Sequence, residues 1–129
     1  MVRALVDTHV LLWWALEPHH LSPRARSVLA DEMNDLYWSA ASTWELAIKA
    51  ARRGLELPSS TGTYIPMVLD REGLRELPVT GVVAARVEHL PLHHKDPFDR
   101  LIIAQAQAEG LAIITADRIM SAYNVEVIW

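Results

Sequence analysis

Leu5-Val6-Asp7-Thr8-His9-Val10-Leu11-Leu12-Trp13-Trp14-Ala15-Leu16 sets a short apolar strand, one acid and an apolar helix in a row. Leu5 and Val6 lead a buried strand that ends at Asp7. Val10 to Leu16 reads as a buried helix, closed by Glu17-Pro18. Strands and helices go on alternating down the chain, with no internal repeat. Ser22-Pro23 is a helix start, with serine as cap and proline at the first helical position, and that helix runs to about Glu32. Leu36-Tyr37-Trp38-Ser39 is strand-like. Ser42-Thr43-Trp44-Glu45 opens a helix that Gly54 closes, with an apolar stripe of Trp44, Ala47, Ile48, Ala51 and Leu55 at helical spacing. A weaker helix over Thr61 to Glu72 is interrupted by Pro66. Arg75 to Leu77 is a short strand, and Thr80 caps a helix to about Glu88. Asp96-Pro97 starts a helix that Gly110 stops. Leu111 to Ile114 is a buried strand running into Thr115-Ala116-Asp117, and Val125 to Ile128 is the last strand. Alternating strands and helices argue an α/β fold with a mainly parallel sheet. Ligands of such sheets bind outside the carboxyl ends of the strands, where Asp7 and Asp117 both stand.

Four acids follow this architecture. Asp7 and Asp117 end apolar strands, and each has an ordinary alternative as a helix cap. Glu45 is the fourth residue of a capping box that starts at Ser42, and it stands four residues before Lys49, a favourable helical pair. Asp99 shares the side of its helix with Ile102, Ile103 and Ala106. A charge among apolar residues needs a partner, so Asp99 is the strongest single sign of a site. Alone, each acid is explained by structure. Together they supply two strand ends and two helix starts in one small domain. Magnesium and manganese prefer oxygen ligands, and crowded carboxylates are costly without a cation. Divalent ions at a phosphodiester polarise it and acidify a bound water, so no cysteine or serine nucleophile is needed.

Size and composition set the limits. A chain of 129 residues, 51% of them apolar, fills one domain, residues 1–129. The absence of cysteine excludes disulfides and cysteine–zinc sites. The first residues lack a signal-peptide pattern and no apolar run is long enough to span a bilayer. A soluble, cytoplasmic protein with no membrane partner is the expectation. The net charge of −4 speaks against a nucleic-acid partner unless bound cations reverse the local field.

Four segments in order resemble the PIN-domain ribonucleases, and in particular the VapC-type toxins of type II toxin–antitoxin systems. They are Leu5 to Trp13, Ser39 to Lys49, His94 to Ala106 with its Asp96-Pro97-Phe98-Asp99-Arg100 core, and Leu111 to Asp117. The resemblance covers essentially the whole chain. It implies a PIN-like, Rossmann-like three-layer sandwich with helices flanking the sheet. It implies an endonuclease dependent on Mg²⁺ or Mn²⁺, acting on RNA, with Asp7, Glu45, Asp99 and Asp117 as catalytic and metal-binding acids. Thr115 matches a polar residue beside the fourth acid. Asp96 ranks below Asp99 because a capping role occupies it. A homodimer and a cognate antitoxin that blocks the site are also implied. Lys49, Arg52, Arg53, Arg100 and Arg118 are candidates for phosphate contacts, Arg100 and Lys49 before the others. The paired histidines, His93-His94 among them, read as exposed, and His9 carries little weight. The five tryptophans read mostly as core, with Trp13 or Trp14 partly exposed.

Other readings fit less well. A phosphatase of the haloacid dehalogenase class needs a second aspartate two residues after the first, and His9 stands there. A phosphoacceptor receiver domain wants a lysine at a late strand end, where this chain has Thr115-Ala116-Asp117. A non-catalytic PIN-like binding module is the remaining alternative.

Overall fold

Successive strand residues face opposite sides of a sheet, and the core follows that rule. In the computed structural model, which describes residues 1–129, Ala4, Val6, Leu36, Trp38, Ala112 and Ile114 pack on one face. Leu5 and Ile113 pack on the other. The strands are β1 (Arg3–Val6), β2 (Asp35–Ser39), β3 (Arg75–Leu77), β4 (Ala112–Ile114) and β5 (Val127–Ile128). Their order is β3-β2-β1-β4-β5, and every pair is parallel. The helices are α1 (Thr8–Leu16), α2 (Pro23–Ala30), α3 (Ala40–Ala51), α4 (Thr61–Glu72), α5 (Gly81–Ala85) and α6 (Pro97–Glu109).

Val10 and Leu11 of α1, Ala25 and Leu29 of α2, Leu46 of α3 and Ile65 and Val68 of α4 cover the first face. Ile102, Ile103 and Ala106 of α6 cover the second, with Met120 and Tyr123. This is the expected three-layer α/β sandwich. No helix is long and apolar enough to cross a membrane. The chain leaves β1 for β2 and β3, then crosses back to β4 on the other side of β1. That reversal opens a crevice at the carboxyl ends of β1 and β4.

Several boundaries differ from the sequence reading. Helix α2 ends at Ala30, with Asp31 as its cap. Helix α4 runs unbroken through Pro66 because Tyr64, Ile65, Val68 and Leu69 are buried along one face, which offsets a cost of about 3 kcal/mol for an internal proline. The helix after Thr80 ends at Ala85 and continues as a 3-10 turn over Arg86–His89. Strand β5 is shorter than expected, Val127–Ile128.

The largest correction concerns α3. It starts at Ala40, capped by Ser39, whose hydroxyl accepts from the Ala41 amide at 3.0 Å. The Ser42–Glu45 capping box therefore does not form. Nor does the expected stripe face the core, since Trp44, Ala47 and Ala51 are exposed. The buried face holds Ala41, Ser42, Glu45 and Leu46. Two polar residues are tolerated there because both are paired: Thr8 Oγ1 donates to Ser42 Oγ at 2.8 Å, and Lys49 Nζ lies 3.1 Å from Glu45 Oε2. The helix closes at Arg52. Arg53, and not Gly54, takes the left-handed conformation, at φ 56°.

Candidate metal centre

Strand β1 delivers Asp7 to the crevice with its backbone extended, and α1 begins at the next residue. The Thr8 amide donates to Asp7 Oδ1 at 2.8 Å. The capping role is thus real, and it occupies one oxygen. The other, Oδ2, accepts from Thr115 Oγ1 at 2.7 Å. Thr115 is fully buried just beyond β4, so two neighbouring strands fix one carboxylate. Burial pushes the Asp7 carboxyl up, the bonds from Thr115 and Thr8 and the nearby His9 oppose that, and Glu45 adds to the rise.

Asp117 repeats the pattern. Its Oδ1 accepts from the Ile119 amide at 3.0 Å and caps the 3-10 turn Arg118–Ala122. Its Oδ2 meets His94 Nε2 at 2.7 Å. His94 Nδ1 in turn lies 3.0 Å from the Tyr123 hydroxyl. Asp7 and Asp117 line one crevice of about 290 Å³ with Thr115 and His9.

Asp99 stands in the first turn of α6, after Asp96 has capped the helix by accepting from the Phe98 amide at 2.8 Å. Its carboxyl is pushed up to about 7. Burial is the main cause, the charges of Asp96, Asp7 and Glu45 push the same way, and His94 opposes them. Acids from β1, α3 and the start of α6 thus act on the charge of Asp99, although Asp7 and Glu45 lie outside its tightest group of ligand atoms. Asp99, His94 and Asp117 each offer a ligand atom, and these atoms lie within 4.8 Å of one another. Carboxylate oxygens with one imidazole nitrogen are a donor set for a divalent ion. A carboxyl pushed up by burial and, after that, by neighbouring negative charge is a place where a cation is favourable. His94, Asp99 and Asp117 fit a divalent metal ion.

Two expectations are corrected here. His94 is no exposed loop residue: its side chain is 8% exposed and both ring nitrogens are engaged. Its place just ahead of Asp96-Pro97, in the same segment as Asp99, was the available signal. Arg100 is no phosphate contact. It is 8% exposed, and its guanidinium donates to the carbonyls of Pro91 at 2.8 Å, Val87 at 3.0 Å and Leu90 at 3.2 Å. It ties the segment before His94 onto α6. Arg52, Arg53 and Arg118 are exposed, as is His9. Lys49 is half-buried against Glu45. Trp13 and Trp14 are both half-buried, and the Trp14 indole donates to Glu72 at 2.8 Å.

Comparison with known proteins agrees with this geometry. The PIN domain family matches residues 4–126. Ribonuclease VapC22 of Mycobacterium tuberculosis is 32% identical over 125 residues, 96% of this chain and 94% of that protein. VapBC2 from Rickettsia felis, solved bound to a DNA fragment from its promoter, superposes with a TM-score of 0.66 at 15% identity, covering 98% of this chain and 97% of that one. FitAcB from Neisseria gonorrhoeae gives a TM-score of 0.57 at 24% identity, over 96% of this chain and 95% of that one. At those identities the two structures speak for the fold alone. The family match and the mycobacterial relative, together with the gathered acids, place this chain in the PIN-domain family, among homologues of the VapC ribonuclease toxins.

Proposed function

We propose that this protein is a divalent-metal-dependent endoribonuclease, the toxin of a type II toxin–antitoxin pair, held inactive by a cognate antitoxin and acting as a homodimer. The observation that carries the catalytic part is the set of acids around Asp99, with its carboxyl near 7. The relative in M. tuberculosis is named a ribonuclease, which supports RNA as substrate. The antitoxin and the homodimer rest on the resemblance to VapC toxins.

Asp7, Glu45, Asp99 and Asp117 are the residues to hold Mg²⁺ or Mn²⁺, with His94, in contact with Asp117, as a further donor beside them. When bound, the ion supplies charge to the scissile phosphodiester and an acidified water for attack. The chain's own part is positioning. Thr115 and the Thr8 amide hold the Asp7 carboxylate at a fixed angle, and His94 does the same for Asp117. Lys49 Nζ, 3.1 Å from Glu45 Oε2, holds that side chain to one side. Partners of this kind typically matter about 10- to 100-fold for metal affinity or activity.

The test is purified, antitoxin-free protein on total cellular RNA. Cleavage is expected with Mn²⁺ or Mg²⁺ and none with EDTA. Cleavage that persists unchanged in EDTA would refute the metal-dependent reading.

A further inference from the structure

Two of the site acids follow an aromatic residue directly: Trp44 precedes Glu45 on α3, and Phe98 precedes Asp99 on α6. The two rings meet edge to face, with centroids 5.2 Å apart and planes at 73°. Phe98 is half-buried, whereas Trp44 is 61% exposed. A large apolar ring left in water forgoes the stabilisation that burial would give it. Its edge-to-face neighbour Phe98 lines a groove of about 410 Å³, so the exposed ring stands beside that groove. Phe98, Lys49, Arg52 and Lys95 line that groove with Glu45 and Asp96. Lys49 is engaged with Glu45, but Arg52 and Lys95 make no ion pair. A chain of net charge −4 thus gathers three cations next to its acids.

Aromatic faces beside a cationic groove are how single-stranded nucleic acid is held without sequence-specific hydrogen bonds. The geometry points to Trp44, braced by Phe98, as a stacking platform for an unpaired base of the RNA strand, with Arg52 and Lys95 on the adjoining phosphates. The platform rests on the ribonuclease reading. It answers how an acidic protein keeps RNA at its site, and it sets a preference for unpaired segments, since a base inside a duplex cannot reach the ring.

The experiment measures binding of a short fluorescein-labelled oligouridylate by anisotropy, with Ca²⁺ in place of Mg²⁺. Wild type is compared with Trp44→Leu and Trp44→Tyr, and an abasic strand of equal length serves as the second probe. Thermal melts confirm that the variants fold, as an exposed position allows. Trp44→Leu is expected to weaken binding about tenfold and Trp44→Tyr less than about threefold. The abasic strand should bind wild type as weakly as the intact strand binds Trp44→Leu, with the salt dependence unchanged because the phosphate contacts remain. Equal affinity of wild type and Trp44→Leu overturns the platform. So does a loss of self-association in Trp44→Leu at unchanged RNA affinity, which would make the ring a contact between copies of this chain. If wild type cleaves total RNA but the Trp44 variants bind like it, the platform alone is wrong. If wild type neither binds the strand nor cleaves total RNA, the ribonuclease reading falls and takes the platform with it.

Discussion

Asp99→Asn is expected to lower RNA cleavage by about a hundredfold or more and, in the same protein, to raise the stability of the metal-free fold. Both effects come from one charge. The Asp99 carboxyl has a folded value of about 7 against the usual 3.8. The folded protein therefore binds this proton more tightly than the unfolded chain. Stability from this group is fully present below about pH 4 and is lost as pH rises through 7. For a fully buried group the difference is about 4 kcal/mol. Partial exposure of Asp99 reduces it to about 1–2 kcal/mol. Asparagine keeps the shape and removes the charge, so in EDTA at pH 8 the variant should melt several degrees above wild type. At pH 4 the two should coincide. Mn²⁺ at pH 8 should reverse the order, because a ligand specific to the folded state stabilises only the protein that binds it. Thermal melts at both pH values, with and without Mn²⁺, check all of this. Equal melting in EDTA at pH 8 would mean that neither burial nor the charge of its neighbours raises the Asp99 carboxyl.

Arg100→Met is expected to destabilise the fold by about 2 kcal/mol. Methionine keeps much of the apolar stem and removes the guanidinium that serves Val87, Leu90 and Pro91. Each such bond from a charged donor is worth roughly 1.5–3 kcal/mol, and water reaching the partly exposed carbonyls recovers some of the loss. Arg100→Lys should recover only part, since an ammonium lacks the planar fork that spans several acceptors. The segment that Arg100 anchors leads directly to His94, so loosening it should also reduce cleavage in protein that is still folded. Denaturant melts that place Arg100→Met within about 0.5 kcal/mol of wild type, the usual range for a surface substitution, would return Arg100 to the surface and reopen it as a phosphate contact.

Arg100 and Trp44 show where sequence reasoning misses, and they miss in opposite directions. Charge sent Arg100 outward, yet three carbonyls satisfy it inside. Apolarity sent Trp44 inward, yet it stands in water. Hydrophobic burial is a one-way rule, and its exceptions gather at sites. Helix α3 carries the same lesson. Its apolar stripe was real in sequence, but the pairing of Ser42 with Thr8 and of Glu45 with Lys49 turned the polar side inward. Asp7 and Asp117 were legible because a strand running into an acid near its carboxyl end marks the ligand side of a parallel sheet, whereas Thr115 came only with the family resemblance. Asp99 was legible because it breaks the inner face of α6. His94 had only its place just ahead of Asp96-Pro97 to mark it, since it lies in an irregular segment with no periodicity. Only the fold brings it to Asp117 and Tyr123, 23 and 29 residues further along the chain.

The centre itself is tested most directly by calorimetric titration of Mn²⁺ into wild type, Asp7→Asn, Asp99→Asn and Asp117→Asn, with melts to confirm folding. Saturable binding to wild type is predicted, weakened about tenfold or more in each variant. Folded wild type that shows no saturable binding, or four proteins that bind Mn²⁺ alike, would contradict a shared metal centre and leave the acids to their separate structural roles.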